Sequence, residues 1–220
     1  MVKSFSIKAK IGLILGVSLV GLAVIVAVAL VTLRGQMMAD REAKLRNLVE
    51  VGHSLVAHYE ADAKAGRRTE AEARAAALAA LSGLRYSGQE YFFVLDQAGI
   101  TVAHGVNPKL VGQDLTKATD PNGVFFIRAM LDAANAAPEG GFAAYAWPKP
   151  GDPDKTPMPK LSFVRTFAPW GWVLATGIYI DDVDTAFAAV AWQLGAIAAA
   201  VALAGVLATL LIGRAIVGPI

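Results

Sequence analysis

The sequence predicts an α+β domain, a mostly antiparallel sheet packed against helices, flanked by two transmembrane helices. Three observations lead there. Two charge-free apolar blocks stand at residues 11–31 and 194–212. After the first block, apolar residues recur with a helical period. From residue 91 onward the period shortens to the alternation of strands, interrupted by one short helical stretch.

Each apolar block is about 20 residues long, and at about 1.5 Å per residue such a helix spans a hydrocarbon core of roughly 30 Å. The first block exceeds the roughly 7–15 apolar residues of a secretory signal and lacks a small-x-small cleavage site, so an uncleaved anchor is expected. The second, rich in Ala, could also be a buried soluble helix, but Trp192 and Gln193 mark its start as an interfacial boundary. All 18 acidic residues fall between the blocks, whereas Lys3, Lys8, Lys10 and Arg214 flank them. Positive flanks stay in the cytoplasm, which places both termini inside and the middle outside the inner membrane. The expected organisation is a cytoplasmic start (1–10), a first span (11–33), an extracytoplasmic domain (34–185), a second span (186–213) and a cytoplasmic linker (214–220). A net charge of only +2 and no basic patch argue against nucleic acid, and the absence of Cys fits an exported domain folding without disulfides.

The external segment opens with a helix. Leu45, Leu48, Val49, Gly52, Leu55, Val56 and Tyr59 share one face, and Gly66 is a plausible stop. Thr69-Glu70-Ala71-Glu72 reads as a capping box for a second helix reaching about Leu81. YFFVL and ITVAH, joined by Asp96-Gln97-Ala98-Gly99, form a hairpin. Pro108 and Gly112 break the chain, and Asp120-Pro121-Asn122-Gly123 turns it into a short helix, VFFIRAMLDAAN. A strand near Phe142–Trp147 precedes a Pro-rich segment, PKPGDPDKTPMP, in which no strand is expected. Strands over 160–167 and 172–180 follow, joined by Ala168-Pro169-Trp170-Gly171.

In order along the chain, LRYSGQEYFFVLDQAGITVAHG, NPKLVGQDL, DPNG, YAWPKPG, KLSFVRTFAPWGWV and TGIYIDDV resemble the single Cache domain of bacterial chemoreceptors, its second subfamily. The resemblance covers residues 36–185; the flanking blocks and the final RAIVGP are similar to the receptor layout, in which a HAMP linker follows the second span. It implies a PAS-like antiparallel sheet with a long N-terminal helix and a small pocket on one face, binding a small organic ligand such as acetate, propionate or pyruvate. The family often has Pro after the histidine, where this chain has Gly105, and Tyr where Phe163 stands, which removes one hydroxyl from the set available to a ligand.

Against that expectation, several side chains are candidates for the pocket. Tyr91 and Phe93 share a face of the hairpin, and His104 lies on the partner strand, as pocket wall or as a core histidine. Arg85, with Tyr86 beside it, offers a guanidinium suited to a carboxylate, or else pairs with Glu90. Tyr145 and Trp147 alternate onto one face as aromatic walls or plain core. Lys160 neutralises a buried carboxylate or caps a solvated strand end. Acetate has four heavy atoms, so even about −1.5 kcal/mol per atom limits its affinity to tens of micromolar. Such a pocket must be pre-formed and complementary in charge.

No enzyme signature is present: the three histidines lack metal-ligand spacing, and no nucleophile elbow, P-loop or dinucleotide fingerprint occurs. No cofactor is expected. The last strand meets Asp181-Asp182, which can start a helix running into the second apolar block without a flexible tether. The expected function is a transmembrane receptor, a methyl-accepting chemotaxis protein, relaying carboxylate binding through its second span to a downstream cytoplasmic module or partner. Small-residue ridges (Gly12 and Gly16; Gly205, Thr209 and Gly213) permit a homodimer. The alternatives are a membrane-anchored assembly protein with a protein partner, or the sensor of a histidine kinase or cyclic-dinucleotide enzyme.

Overall fold

The computed structural model describes residues 7–217. The expected cytoplasmic start at residues 1–6 and the end of the expected linker at 218–220 lie outside them. The chain divides into two compact units: residues 39–182, and the helical segments up to Met38 and from Val183.

The apolar unit is made of two helices. α1 (Ile7–Lys64) and α4 (Asp181–Val217) are both long and apolar enough to cross a membrane. Val17, Ile25, Val31, Leu203 and Leu211 are exposed. A surface of this kind is unfavourable in water and neutral in hydrocarbon. Within this unit Arg34 pairs with Asp184 at 3.0 Å, and its guanidinium lies 5.5 Å from the centre of the Phe187 ring. The helix expected over residues 45–59 is the continuation of α1, with no break after the first apolar block.

In the second unit, α1 presents Leu45, Val49 and Val56 on one face, each fully buried. Gly66 follows its end with φ +69°, a left-handed conformation that favours glycine. α2 (Glu70–Gly83) begins with the expected capping box: the Thr69 hydroxyl accepts from the Glu72 N–H, and the Glu72 carboxylate accepts from the Thr69 N–H at 2.8 Å.

Six strands follow: β1 (Arg85–Tyr86), β2 (Glu90–Asp96), β3 (Thr101–His104), β4 (Gly141–Pro148), β5 (Pro157–Phe167) and β6 (Trp172–Tyr179). Between β3 and β4 lies α3 (Phe126–Ala136). The order is β1-β2-β6-β5-β4, with β3 also on β2 and every pairing antiparallel. β6 is interior to the sheet and buried along its whole length. One face of the sheet meets α1: Phe92 lies against Gly52, and Arg46 lies over Phe163. The other face carries Tyr91, Phe93, Leu95, Tyr145 and Val164 in a core shared with Phe126, Ile127 and Met130 of α3. The α+β class and the antiparallel sheet read from the sequence are what the structure has.

Two local departures have clear causes. The Pro-rich segment is not all loop, because Pro157 and Pro159 pair with Pro148 and Ala146 of β4. The Pro159 carbonyl accepts from the Ile180 N–H. Its nitrogen points the same way, past the end of β6, so no bond to β4 is lost. In the β2–β3 pairing the register shifts after Val94: Ala103 faces Val94, but Thr101 faces Leu95. That extra residue defeats strict alternation along β3.

Asp120, buried, ties the turn before α3 to β4. One carboxylate oxygen accepts from the Asn122 and Val124 N–H groups, both at 2.9 Å, and the other from Ala146 N–H at 2.8 Å. Replacing Asp120 with Ala should lower the unfolding free energy by about 2 kcal/mol, because three donors lose a charged acceptor. A thermal melt of the chain in detergent reads this as a lower midpoint; an unchanged midpoint would count against it.

Candidate ligand-binding site

A cavity lies between α3 and the sheet face it covers, with about 30 Å³ open to the centre of a water-sized sphere. At about 10–15 Å³ per water, that is room for two or three small atoms or groups. Tyr91, Phe93, His104, Tyr145 and Trp147 line it, as do Phe126, Ile127 and Met130 of α3. The walls are mainly apolar, with a few polar tips directed by the strands beneath. Tyr145 Oη lies 3.0 Å from Ser162 Oγ, and Phe126 stacks on Tyr145 with ring centres 5.8 Å apart. Burial raises the pKa of both Tyr91 and Tyr145, so their hydroxyls stay protonated and can donate.

Lys160 supplies the charge. It is 1% exposed, and its Nζ donates to Tyr91 Oη at 3.1 Å. Nζ also lies 4.3 Å from the centre of the Tyr91 ring and 4.8 Å from that of Tyr179. Among the described residues it forms no ion pair. Burial pulls its pKa down to about 8, against the charge of Glu90, which favours the protonated form. Near neutral pH the site therefore holds an ammonium lodged among tyrosines.

His104 stays neutral. Burial, reinforced by the charges of Lys160 and Arg85, lowers its pKa to about 4. Its Nδ1 accepts from the Asn107 N–H at 3.0 Å and the Val106 N–H at 3.4 Å. An accepting Nδ1 assigns the proton to Nε2, which makes the ring a donor. The ring packs 4.7 Å from that of Tyr91.

Five of the eight candidates read from the sequence thus line the cavity, and Lys160 contacts it through Tyr91. The other two lie elsewhere. Arg85 Nη1 donates to the carbonyls of Ser82 and Leu84, and Nη2 to that of Gly105. Tyr86 Oη bonds Thr176 Oγ1 at 2.7 Å and the Gly177 carbonyl at 3.1 Å. Phe163 packs on Phe142, on the α1 side of the sheet, so a hydroxyl there would not reach the cavity. Gly105 donates its N–H to the Phe92 carbonyl at 3.0 Å, a bond that proline could not make. Residues of the site not singled out from sequence include Phe126, Met130, Ser162 and Tyr179. The helical spacing of Phe126, Ile127, Met130 and Ala134 signals the first two, and alternation from Lys160 signals Ser162. Gly177, paired with Ser162, is required by close approach, since a Cβ there would collide with Ser162 Oγ and the Lys160 side chain.

Between about pH 6.5 and 4 the unfolded chain takes up a proton on His104 that the folded chain excludes, so this residue makes stability fall as pH falls. His104→Gln should remove that contribution. Melting midpoints at pH 7 and 4.5 should lie closer together in the variant; an equal spacing in both proteins would refute the assignment.

The family model for single Cache domain 2 matches residues 37–193. The chain is 32% identical over 218 residues to methyl-accepting chemotaxis protein McpP of Pseudomonas putida, covering 99% of this chain and 40% of that protein. It therefore spans less than half the length of this curated relative. A solved structure described as a periplasmic sensor domain of a chemotaxis protein is 48% identical, with a TM-score of 0.62, over 66% of this chain and 99% of that one. Another, described as the structural basis for carboxylic acid recognition by a Cache chemosensory domain, is 33% identical, also with a TM-score of 0.62, over 67% and 98%. With its sheet, its helices and these likenesses in agreement, the chain belongs to the single Cache domain 2 family.

Proposed function

We infer that this chain is the sensory and membrane portion of a chemoreceptor, whose external domain binds a short-chain monocarboxylate beside Lys160. One observation carries the reading: a buried ammonium, without an ion-pair partner among the described residues, next to a small cavity with tyrosine and histidine donors. A buried cation gains most from an anion that can enter and pair with it. Lys160 supplies the charge, His104 Nε2–H and the Tyr91 and Tyr145 hydroxyls supply hydrogen bonds, and Phe93, Phe126 and Trp147 enclose the alkyl end. The cavity's small volume favours the shortest acids over longer ones or dicarboxylates. Arg85 and Tyr86 support the frame around this site.

The rest of the reading concerns placement and transmission. Residues 34–185 form the periplasmic domain, with spans at 11–33 and 186–213 anchoring it in the inner membrane of a homodimer. β6 ends at Tyr179 and α4 begins at Asp181, so a strand of the sheet enters a membrane-crossing helix with one residue between. Ligand binding favours one of two arrangements of β6, and about 1–3 kcal/mol of differential affinity suffices to bias them. A downstream cytoplasmic module turns the displacement into chemotaxis.

Calorimetry on the chain in lipid nanodiscs, with acids of two to four carbons, tests the reading. Acetate or propionate should bind with Kd near tens of micromolar, and Lys160→Met should weaken either by at least about thirtyfold. Affinity should also fall as pH rises above about 8, where free Lys160 loses its proton. A wild-type chain that binds none of these acids ends the proposal.

A further inference from the structure

Lys160 is not the only charged side chain with a buried, incompletely satisfied end. Glu90, at the start of β2, accepts a hydrogen bond from the Tyr179 backbone, yet its Oε2 is buried without a hydrogen-bond partner. Tyr179 is the residue that pairs with Lys160 across β5 and β6, and its ring lies against the Lys160 ammonium. On its other side Glu90 lines an open cleft of about 400 Å³, together with Arg41, Lys44, Lys149, Asp181 and Asp182. Most charges in that cleft are engaged: Arg41 with Asp182, Lys149 with Asp181 at 2.7 Å, and Lys44 with the Ser87 hydroxyl. Glu90 thus stands between the ammonium of the ligand site and the ion pair at the first residue of α4.

We propose that Glu90 is the resident counter-charge of Lys160, that a bound carboxylate takes over this role, and that Glu90 then competes with Asp181 for Lys149. The inference rests on the carboxylate reading and gives that site its regulation. Burial raises the Glu90 pKa, while Lys160, Lys149 and Lys44 lower it in that order, so both ends of the relay act on the same carboxylate. In the free state Glu90 divides its attraction between the two ends. An anion at Lys160 neutralises one end and repels Glu90 toward the other. The Lys149–Asp181 pair then weakens, and the start of α4 is released from the β4–β5 loop that carries Lys149. Glu90 acts here as a positioning residue: it sets the affinity for negative charge and passes the event on, without needing to touch the ligand.

Glu90→Gln keeps the shape and removes the charge. In nanodiscs at pH 7, acetate and propionate should bind this variant at least about fivefold more tightly than wild type, while neutral acetamide should not gain. A residue with a merely structural role would weaken all three. Hydrogen exchange supplies the second readout: propionate should alter exchange at residues 178–182 of wild type and leave it unaltered in the variant. Should Glu90→Gln fold poorly, Lys149→Gln carries the test, with carboxylate affinity lowered, since Glu90 then answers to Lys160 alone, and the response at 178–182 lost. Carboxylate affinity unchanged or weakened in Glu90→Gln, equal tightening of acetamide, or a full exchange response in either variant would overturn the relay while leaving the functional reading standing. A wild-type chain that binds no carboxylate overturns both.

Discussion

The ammonium of Lys160 sits where water cannot reach it, and moving such a charge out of water costs several kcal/mol after relaxation. Much of the surrounding architecture follows from keeping that charge tolerable. Tyr91 and Tyr179 present ring faces to it, and the Tyr91 hydroxyl accepts a hydrogen bond from it. Gly177 leaves out a side chain so that the lysine stem can cross β6. The arrangement moderates the cost without removing it, since no carboxylate of the described residues closes on the ammonium. A site left in that condition is the physical basis of the proposed function: an anion entering beside the ammonium would offset part of the cost of burying it.

Under the proposed function, the sheet would give a local event a direction. Lys160 and Tyr179 are paired neighbours on β5 and β6, and β6 is paired along its whole length with β5 and over Trp172–Thr176 with β2. A strand so restrained moves more readily as a body than by bending. Its C-terminal end is one residue from α4, and Ile180 between them is itself fixed by the Pro159 carbonyl. Glycine and serine tethers, which would absorb displacement, have no place in that junction.

Features governed by neighbours along the chain were legible from sequence. The capping box at Thr69, the left-handed stop at Gly66 and the hairpin turn at Gly99 depend on local chemistry and appear as expected. Alternation placed Tyr91 with Phe93, and Tyr145 with Trp147, on faces that line one cavity. What was not legible depends on contacts between distant segments. Arg85 offers a guanidinium with the right chemistry for a carboxylate, but the Gly105 carbonyl, twenty residues away, helps to engage it instead. Thr101 joins His104 at the cavity only because the β2–β3 register slips. Glu90 reads from sequence as a partner for Arg85, and its buried oxygen emerges only when β6 is laid beside β2. The Phe163 hydroxyl question disappears once parity along β5 is known, since Lys160 and Ser162 face one way and Phe163 the other.

The prolines of β5 have a consequence beyond the site. β4 and β5 extend past the end of β6 as a two-stranded ribbon, and the flank exposed there would ordinarily offer free amide donors to any passing strand. At Pro157 and Pro159 those donors do not exist. The ribbon can pair inward with β4 but is a poor template for a foreign chain. The end of the sheet that carries Lys160 is thereby kept from stitching to a neighbour's strands by the same two residues that let β5 run past β6.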